Sequence, residues 1–349
     1  MLLNNSILSK YRQGLYKALV FSNSFSSKRF INLVKTAFNF RRKLTLIDSF
    51  PRYATMEITN ICNLNCPHCP TGTKLSIRPK SFMTLNDFKK AVDKLSDYIF
   101  GMNLGPNGEP FLHPEIFEMI DYLNSKNVSS FLSSNFNSVS EEQIKKIVSN
   151  RLKIINVGID GASGQSYSKY RRGGDFDRVI KNLKFLVAEK KRQKSRWPFI
   201  IWQFLVMKTN EGEIDQARKL AQEIGVDQIA FDMPFIPLPE YWFFGKRDEI
   251  AKEAEAFFPS EEKYKLVATD PFIRNCHLPW KEIHVLVDGT VVPCCRLVEM
   301  GVNFGNILEQ SLEEIWNNDF YKQIRKSLKL QNGDSYCHKC LQSLKFEDC

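Results

Sequence analysis

The sequence predicts an α/β fold: a partial (β/α)6 TIM-like barrel with an N-terminal helical arm and a small C-terminal Cys-rich domain. Three observations predict it. Residues 53–233 alternate short β-rich runs with longer helical stretches, the pattern of parallel strands joined by crossover helices. The nine cysteines fall in clumps at the two ends, with none between Cys69 and Cys276. The surplus positive charge lies almost entirely in the first fifty residues.

That arm, residues 1–50, holds nine Lys/Arg against one acid, Asp48, for a net +8, while the other 299 residues carry only +2 of the total +10. A nearly neutral body argues against a nucleic-acid enzyme with a basic groove. The arm lacks the continuous apolar core and cleavage site of a secretory signal. Leu15, Leu19, Phe30, Leu33, Val34, Ala37 and Phe38 recur at helical spacing, which predicts two short amphipathic helices. The expectation is that they dock on the body with a solvated basic face. Contact with an anionic membrane surface or an acidic partner is the alternative.

Residues 51–233 form the core. Strands are predicted at 53–59, 99–104, 128–133, 154–159, 199–206 and 228–233, and helices at 85–98, 114–124, 141–149, 176–194 and 211–224. Thr84 and Ser140 read as N-caps and Gly225 as a C-terminal stop. The longest apolar run, 199–207, has nine residues including Gln203, far short of the ~18 a membrane helix needs. In such a barrel the site lies at the carboxyl ends of the strands.

Residues 234–271 break the rhythm with five prolines and the aromatic run Tyr241, Trp242, Phe243, Phe244; they read as a linker with one acidic helix near 248–257. Residues 272–349 form the Cys-rich domain. A hairpin is predicted at 283–292 around Asp288-Gly289, a strong turn signal, followed by a helix at 312–328.

Nine cysteines without a secretory signal point to a reducing, cytoplasmic compartment, where thiols hold metal or do chemistry. Cys62, Cys66 and Cys69, spaced C-x3-C-x2-C, directly follow the first strand. Three thiolates hold three irons of a cubane whose full protein ligation takes four. The fourth iron stays open to a small chelating molecule. Zinc, with His68 as a fourth ligand, is the competing metal, but eight residues leave little room for that tetrahedron.

At this spacing the segment resembles the radical S-adenosylmethionine (SAM) superfamily. The resemblance implies that SAM chelates the open iron of a [4Fe–4S] cluster and is reductively cleaved to a 5′-deoxyadenosyl radical, which takes a hydrogen atom from substrate. It implies a one-electron reductant such as flavodoxin or ferredoxin. Gly108-Glu109-Pro110, after the second strand, is similar to the family's GGEP motif and would receive the SAM ammonium. Ser133-Ser134-Asn135 resembles its Thr-Asn-Gly turn, placing Ser133 and Asn135 near ribose, but Phe136 stands where the pattern has glycine. Gly158-Ile159-Asp160-Gly161, with Arg171 following, resembles its Ser-Ile-Asp-Gly…Arg segment. There Asp160 and Arg171 would serve the cofactor, Arg171 by pairing with the SAM carboxylate, while Gly158 in place of Ser removes a polar contact. His68 takes the aromatic position beside adenine.

Cys276, Cys294, Cys337 and Cys340 would fully ligate an auxiliary [4Fe–4S] cluster, resembling the SPASM/twitch extension in its single-cluster form; zinc bound by the same four thiolates is the alternative. A fully ligated cluster implies electron traffic and hence oxidation. Cys295 is a candidate hydrogen donor to a substrate radical, or a buried neighbour. Cys349 is a frayed end or a substitute ligand. The leading function is a radical SAM oxidoreductase acting on a sugar, polyol or other natural-product intermediate. The alternatives are a peptide- or protein-modifying enzyme (thioether formation, epimerisation or maturation) and a non-catalytic iron–sulfur or zinc scaffold.

Overall fold

The computed structural model describes residues 24–67, 69–73, 76, 78–232, 256–261 and 276–330. Strands β1 (Tyr53–Met56), β2 (Gly101–Leu104), β3 (Ser129–Ser134), β4 (Ile154–Gly158), β5 (Phe199–Leu205), β6 (Gln228–Asp232), β7 (Glu282–Val285) and β8 (Val291–Val292) form one sheet. Their order is β6-β5-β4-β3-β2-β1-β7-β8. The principal helices among the described residues are α1 (Ser27–Arg41), α2 (Leu85–Leu95), α3 (Ile116–Ser125), α4 (Glu141–Ser149), α5 (Gly164–Tyr170), α6 (Phe176–Arg192), α7 (Ile214–Ile224), α8 (Leu312–Trp316) and α9 (Asp319–Leu330). Among the described residues no helix is long and apolar enough to cross a membrane.

The six predicted strands pair in parallel, each with the next. Alternate residues face opposite sides. One side, with Met56, Met102, Leu132, Ile155 and Trp202, packs on Phe88, Ile120, Ile147 and Leu183 of the crossover helices. On the other, concave side, Phe131, Ile154, Phe199, Ile201 and Ala230 form a separate apolar cluster. One inward step further along their strands stand Ser133, Asn156, Gln203 and Asp232. The concave face therefore has an apolar floor and polar walls.

Local signals explain the helix starts. Thr84 accepts the Asp87 N–H at 3.1 Å. Ser140 and Gln143 exchange hydrogen bonds as a capping box (3.2 and 2.9 Å), satisfying two N–H groups that a helix start leaves unpaired.

Three features depart from expectation. The hairpin extends the barrel sheet, with β7 parallel to β1 (Tyr53↔Glu282, Thr55↔His284). Ile283, Val285 and Trp280 are buried in the main core, and β7 covers an edge of β1 that would otherwise be open. The helix predicted at 312–328 is two helices. Asn317 exchanges hydrogen bonds with the Ile47 backbone (3.2 and 2.8 Å), and Asn318 donates to the Phe304 carbonyl at 2.6 Å. Such side-chain bonds offer the backbone an alternative to helix.

The third departure is the arm. Leu15 and Leu19 lie outside the described residues. In α1 the buried residues are Arg29, Asn32, Thr36 and Asn39, while Phe30, Val34, Ala37 and Phe38 face outward, the reverse of the docking expected. The reason is where α1 lies. Helices α2 and α3 end in carbonyls with no partner of their own. Arg29 donates to Ser96 O (2.7 and 3.1 Å), Lys126 O (2.9 Å), Asn127 O (2.6 Å) and Ser24 O (2.8 Å). The body needed donors at that spot, and the helix turned its polar side to supply them. The helix predicted near 248–257 falls almost wholly outside the described residues.

Candidate metal centre

The chain leaves β1 at the carboxyl end of the sheet and enters the cysteine loop. Asn60 pins the loop's start, donating to Pro79 O (2.8 Å) and accepting the Ser81 N–H (2.8 Å). Further on, Asn65 N donates to Arg172 O (2.9 Å) and Thr73 N to Cys69 O (2.8 Å). Cys66 is buried, Cys62 and Cys69 half-buried. All three pack with Leu64, Tyr170, Met207 and Phe257 in one small apolar cluster. Burial pushes the Cys62 thiol up to about 11 and the Cys66 thiol up to about 12. Thiolates in such a pocket need a cation beside them. The Leu64 N–H and the Asn135 amide already point at Cys62 Sγ (3.5 and 3.8 Å). Three soft sulfur donors, an apolar wall and hydrogen bonds to sulfur are the donor chemistry of an iron–sulfur cluster, although among the described residues no three such side chains converge as a closed metal-binding group.

The loop after β2 presses against this one. Glu109 N donates to Ile61 O at 2.8 Å. Gly108 has φ +71, and a Cβ there would lie 2.6 Å from Thr59 O, so only glycine allows the approach. The Glu109 carboxylate is fully buried and accepts from Ser134 Oγ (2.7 Å), Asn135 N (2.7 Å) and Phe111 N (3.3 Å). Burial pushes its pKa up against those bonds. Its side chain thus ties the loop after β2 to the turn after β3. In that turn Phe136 has φ +59, so a buried phenylalanine holds the left-handed geometry where the family pattern has glycine, at a cost of about 1–3 kcal/mol. Asn135 donates to Asn63 Oδ1 in the cysteine loop (2.9 Å), and Ser133 accepts from Asn156 (3.2 Å).

At β4, Asp160 is fully buried and accepts Arg171 Nε (2.5 Å) and Leu205 N (2.7 Å). Burial opposes the charge on Arg171, but Asp160 and the Cys66 sulfur more than offset it and hold the guanidinium protonated. The guanidinium lies against Gly158, where a Cβ would collide with it. The missing serine hydroxyl is therefore replaced by an arginine that needs the space. Residue types alone did not reveal this dependence, because the two positions are joined only by the fold.

Sequence reasoning also passed over Glu57. This buried carboxylate takes a bidentate contact from Arg78 (2.7 and 2.7 Å), a bond from Asn107 (2.9 Å) and the Val287 N–H (3.1 Å). It joins the cysteine loop, its return segment, the loop after β2 and the hairpin. The one signal was an acidic residue in an otherwise apolar strand end.

Of the second cysteine group, Cys276 leads into β7 and Cys294 follows β8. Because β8 runs back along β7 (Val285↔Val291), Cys294 returns to the end of β7 from which Cys276 enters. That is the amino end of the sheet, opposite the triad. Cys295 is exposed rather than buried. His68, Cys337, Cys340 and Cys349 lie outside the described residues.

Comparison with known proteins decides the family. A model of the radical SAM superfamily matches residues 56–221, and one of the SPASM iron–sulfur cluster-binding domain matches residues 276–341. The chain belongs to the radical SAM superfamily. This radical SAM enzyme accordingly carries a [4Fe–4S] cluster, SAM and auxiliary iron–sulfur ligation. Its relatives include the AdoMet-dependent heme synthase of Methanosarcina barkeri, 25% identical over 321 residues, covering 82% of this chain and 88% of that one. Another is the antilisterial bacteriocin subtilosin biosynthesis protein AlbA of Bacillus subtilis, 27% identical over 288 residues, covering 76% and 60%. Among solved structures, Streptococcus suis SuiB bound to the precursor peptide SuiA shares the fold, with a TM-score of 0.63 at 14% identity over 84% of this chain and 70% of that one.

Proposed function

We propose that this radical SAM enzyme oxidises a C–H bond of a compact polar metabolite bearing hydroxyl or amine groups, such as a sugar or polyol. The observation that carries the reading is the concave face of the sheet. Its floor is the apolar cluster of Phe131, Ile154, Phe199, Ile201 and Ala230. Its walls offer Ser133, Asn156, Gln203 and Asp232, with Gln203 donating to Asp232 at 2.9 Å. Asn156 Oδ1 is buried without a hydrogen-bond partner, which costs free energy unless a ligand donor meets it.

In this reading Cys62, Cys66 and Cys69 hold the cluster that binds SAM, and Arg171 orients the SAM carboxylate from its seat on Asp160 and Gly158. Glu109 keeps the loops after β2 and β3 in register. When bound, the cluster and SAM supply the hydrogen-abstracting radical. Oxidation then needs a one-electron acceptor and loss of a proton; Cys276, Cys294, Cys337 and Cys340 would hold the auxiliary cluster, which would supply the acceptor. Cys295, exposed beside Cys294, is left without a donor role.

The test is anaerobic turnover with SAM, dithionite and a panel of polyols and amino sugars deuterated at the carbinol carbons. Deuterium appearing in 5′-deoxyadenosine from one of them is the expected result. Transfer from a peptide and from none of the panel sinks the small-molecule reading.

A further inference from the structure

Phe30, Ile31, Val34 and Phe38 of α1, with Phe25 before it and Leu46 after it, keep between 48% and 70% of their surface exposed. Val34, Phe38, Leu44 and Leu46 line a shallow groove. Single exposed apolar side chains are ordinary, but a row at i, i+4 and i+8 on one helix face is the mark of a surface that meets something. The row is fixed in this orientation. Besides the five bonds from Arg29, Asn32 accepts the Phe50 N–H (2.8 Å) and donates to Phe50 O (3.1 Å). Asn39 donates to Asp48 and Ser49 (3.0 and 2.9 Å). Rolling the helix to hide its apolar side would leave these polar groups buried and unpaired.

The net charge around the row is positive. Lys28 and Lys35 are balanced by Asp97 and Asp48 (2.8 and 2.9 Å). Arg41 and Arg42 stand exposed at the end of the row, Arg42 with its guanidinium 5.8 Å from the Phe38 ring. The preceding residues add Lys10, Arg12 and Lys17 and no acid. An apolar row flanked by cations complements a surface that is apolar inside and anionic at its boundary.

We propose that α1 docks this enzyme on an anionic lipid bilayer, with Phe30, Val34 and Phe38 entering the headgroup boundary and Arg41 and Arg42 meeting lipid phosphates. Helix α1 sits at the amino end of the sheet, where it caps α2 and α3, and the cysteine triad sits at the carboxyl end. Docking therefore leaves the triad facing away from the lipid. The inference stands apart from the reaction proposed above.

Sedimentation of the full chain with vesicles tests it. The protein is expected to pellet with vesicles of mixed phosphatidylglycerol and phosphatidylcholine, and more than about tenfold less with phosphatidylcholine alone. Phe30→Ser/Val34→Ser/Phe38→Ser should abolish pelleting with melting temperature and iron content unchanged, since these side chains are exposed. Arg41→Glu/Arg42→Glu should lower it by roughly tenfold or more. Failure of the unaltered protein to bind anionic vesicles overturns the proposal, and so does undiminished binding by the triple serine variant. A dimer in solution that the triple variant turns into monomer overturns it too, assigning the face to a second copy.

Discussion

The Arg171 guanidinium takes its seat on Asp160 because residue 158 has no side chain. Gly158→Ser, which restores the residue type of the family pattern, should push the guanidinium off its seat. A displacement of about 1 Å can cost on the order of a hundredfold in rate. We expect 5′-deoxyadenosine formation to fall on that order while iron content per chain stays constant; unchanged formation would show that Arg171 does not orient SAM. Lys153 is a second case of local cost. It is buried, with its ammonium 4.5 Å from the Trp197 ring, and burial lowers its pKa from 10.5 to about 8. Between those values the unfolded chain binds more protons than the folded one, so Lys153 makes stability rise with pH through that window. Lys153→Met should raise the melting temperature at pH 7 and flatten that rise; an unaltered pH profile would contradict the assignment. The cysteines were legible because iron–sulfur ligation demands one residue type at tight spacing. The pairing of Gly158 with Arg171 was not, because it depends on a turn and a short helix bringing a strand end and a helix end together.

Strands and crossover helices followed from periodicity, since each packs one apolar face on its neighbours, and from caps where they occur, as Thr84 and Ser140 satisfy the first turns of α2 and α4. Helix α4 shows how much such a signal is worth: Ser140→Ala should cost about 1 kcal/mol, measurable by chemical denaturation. Helix α1 defeated the same reasoning. Its apolar spacing was plain, but which side faces the body was decided by carbonyls left over at the ends of α2 and α3, invisible in α1 itself. The pairing of β7 with β1 was hidden for the same kind of reason, being a contact across more than two hundred residues. Glu57 binds four segments together at that seam. Removing one partner of a buried, hydrogen-bonded ion pair typically costs about 3–5 kcal/mol, so Glu57→Ala should destabilise by that amount and loosen the cysteine loop. A loss under about 1 kcal/mol would show that these segments hold without it.

Across the whole molecule, the triad follows the carboxyl end of β1, while Cys276 and Cys294, the described members of the second group, flank β7 and β8 at the amino end of the same sheet. The four residues of β1 alone span roughly 13 Å. In the proposed oxidation, hydrogen abstraction would begin at the triad's end and electron removal would finish at the other. Cys294→Ala should accordingly leave SAM cleavage intact but uncoupled from product; full product formation by that variant would remove the auxiliary group from the reaction.

SAM cleavage at the triad is tested most directly by one measurement: 5′-deoxyadenosine formed by anaerobically reconstituted protein given dithionite and SAM, compared with Cys66→Ala. The prediction is steady formation by the unaltered enzyme and none by the variant. Zinc in place of iron at Cys62, Cys66 and Cys69, or bound iron with SAM left whole, would contradict it.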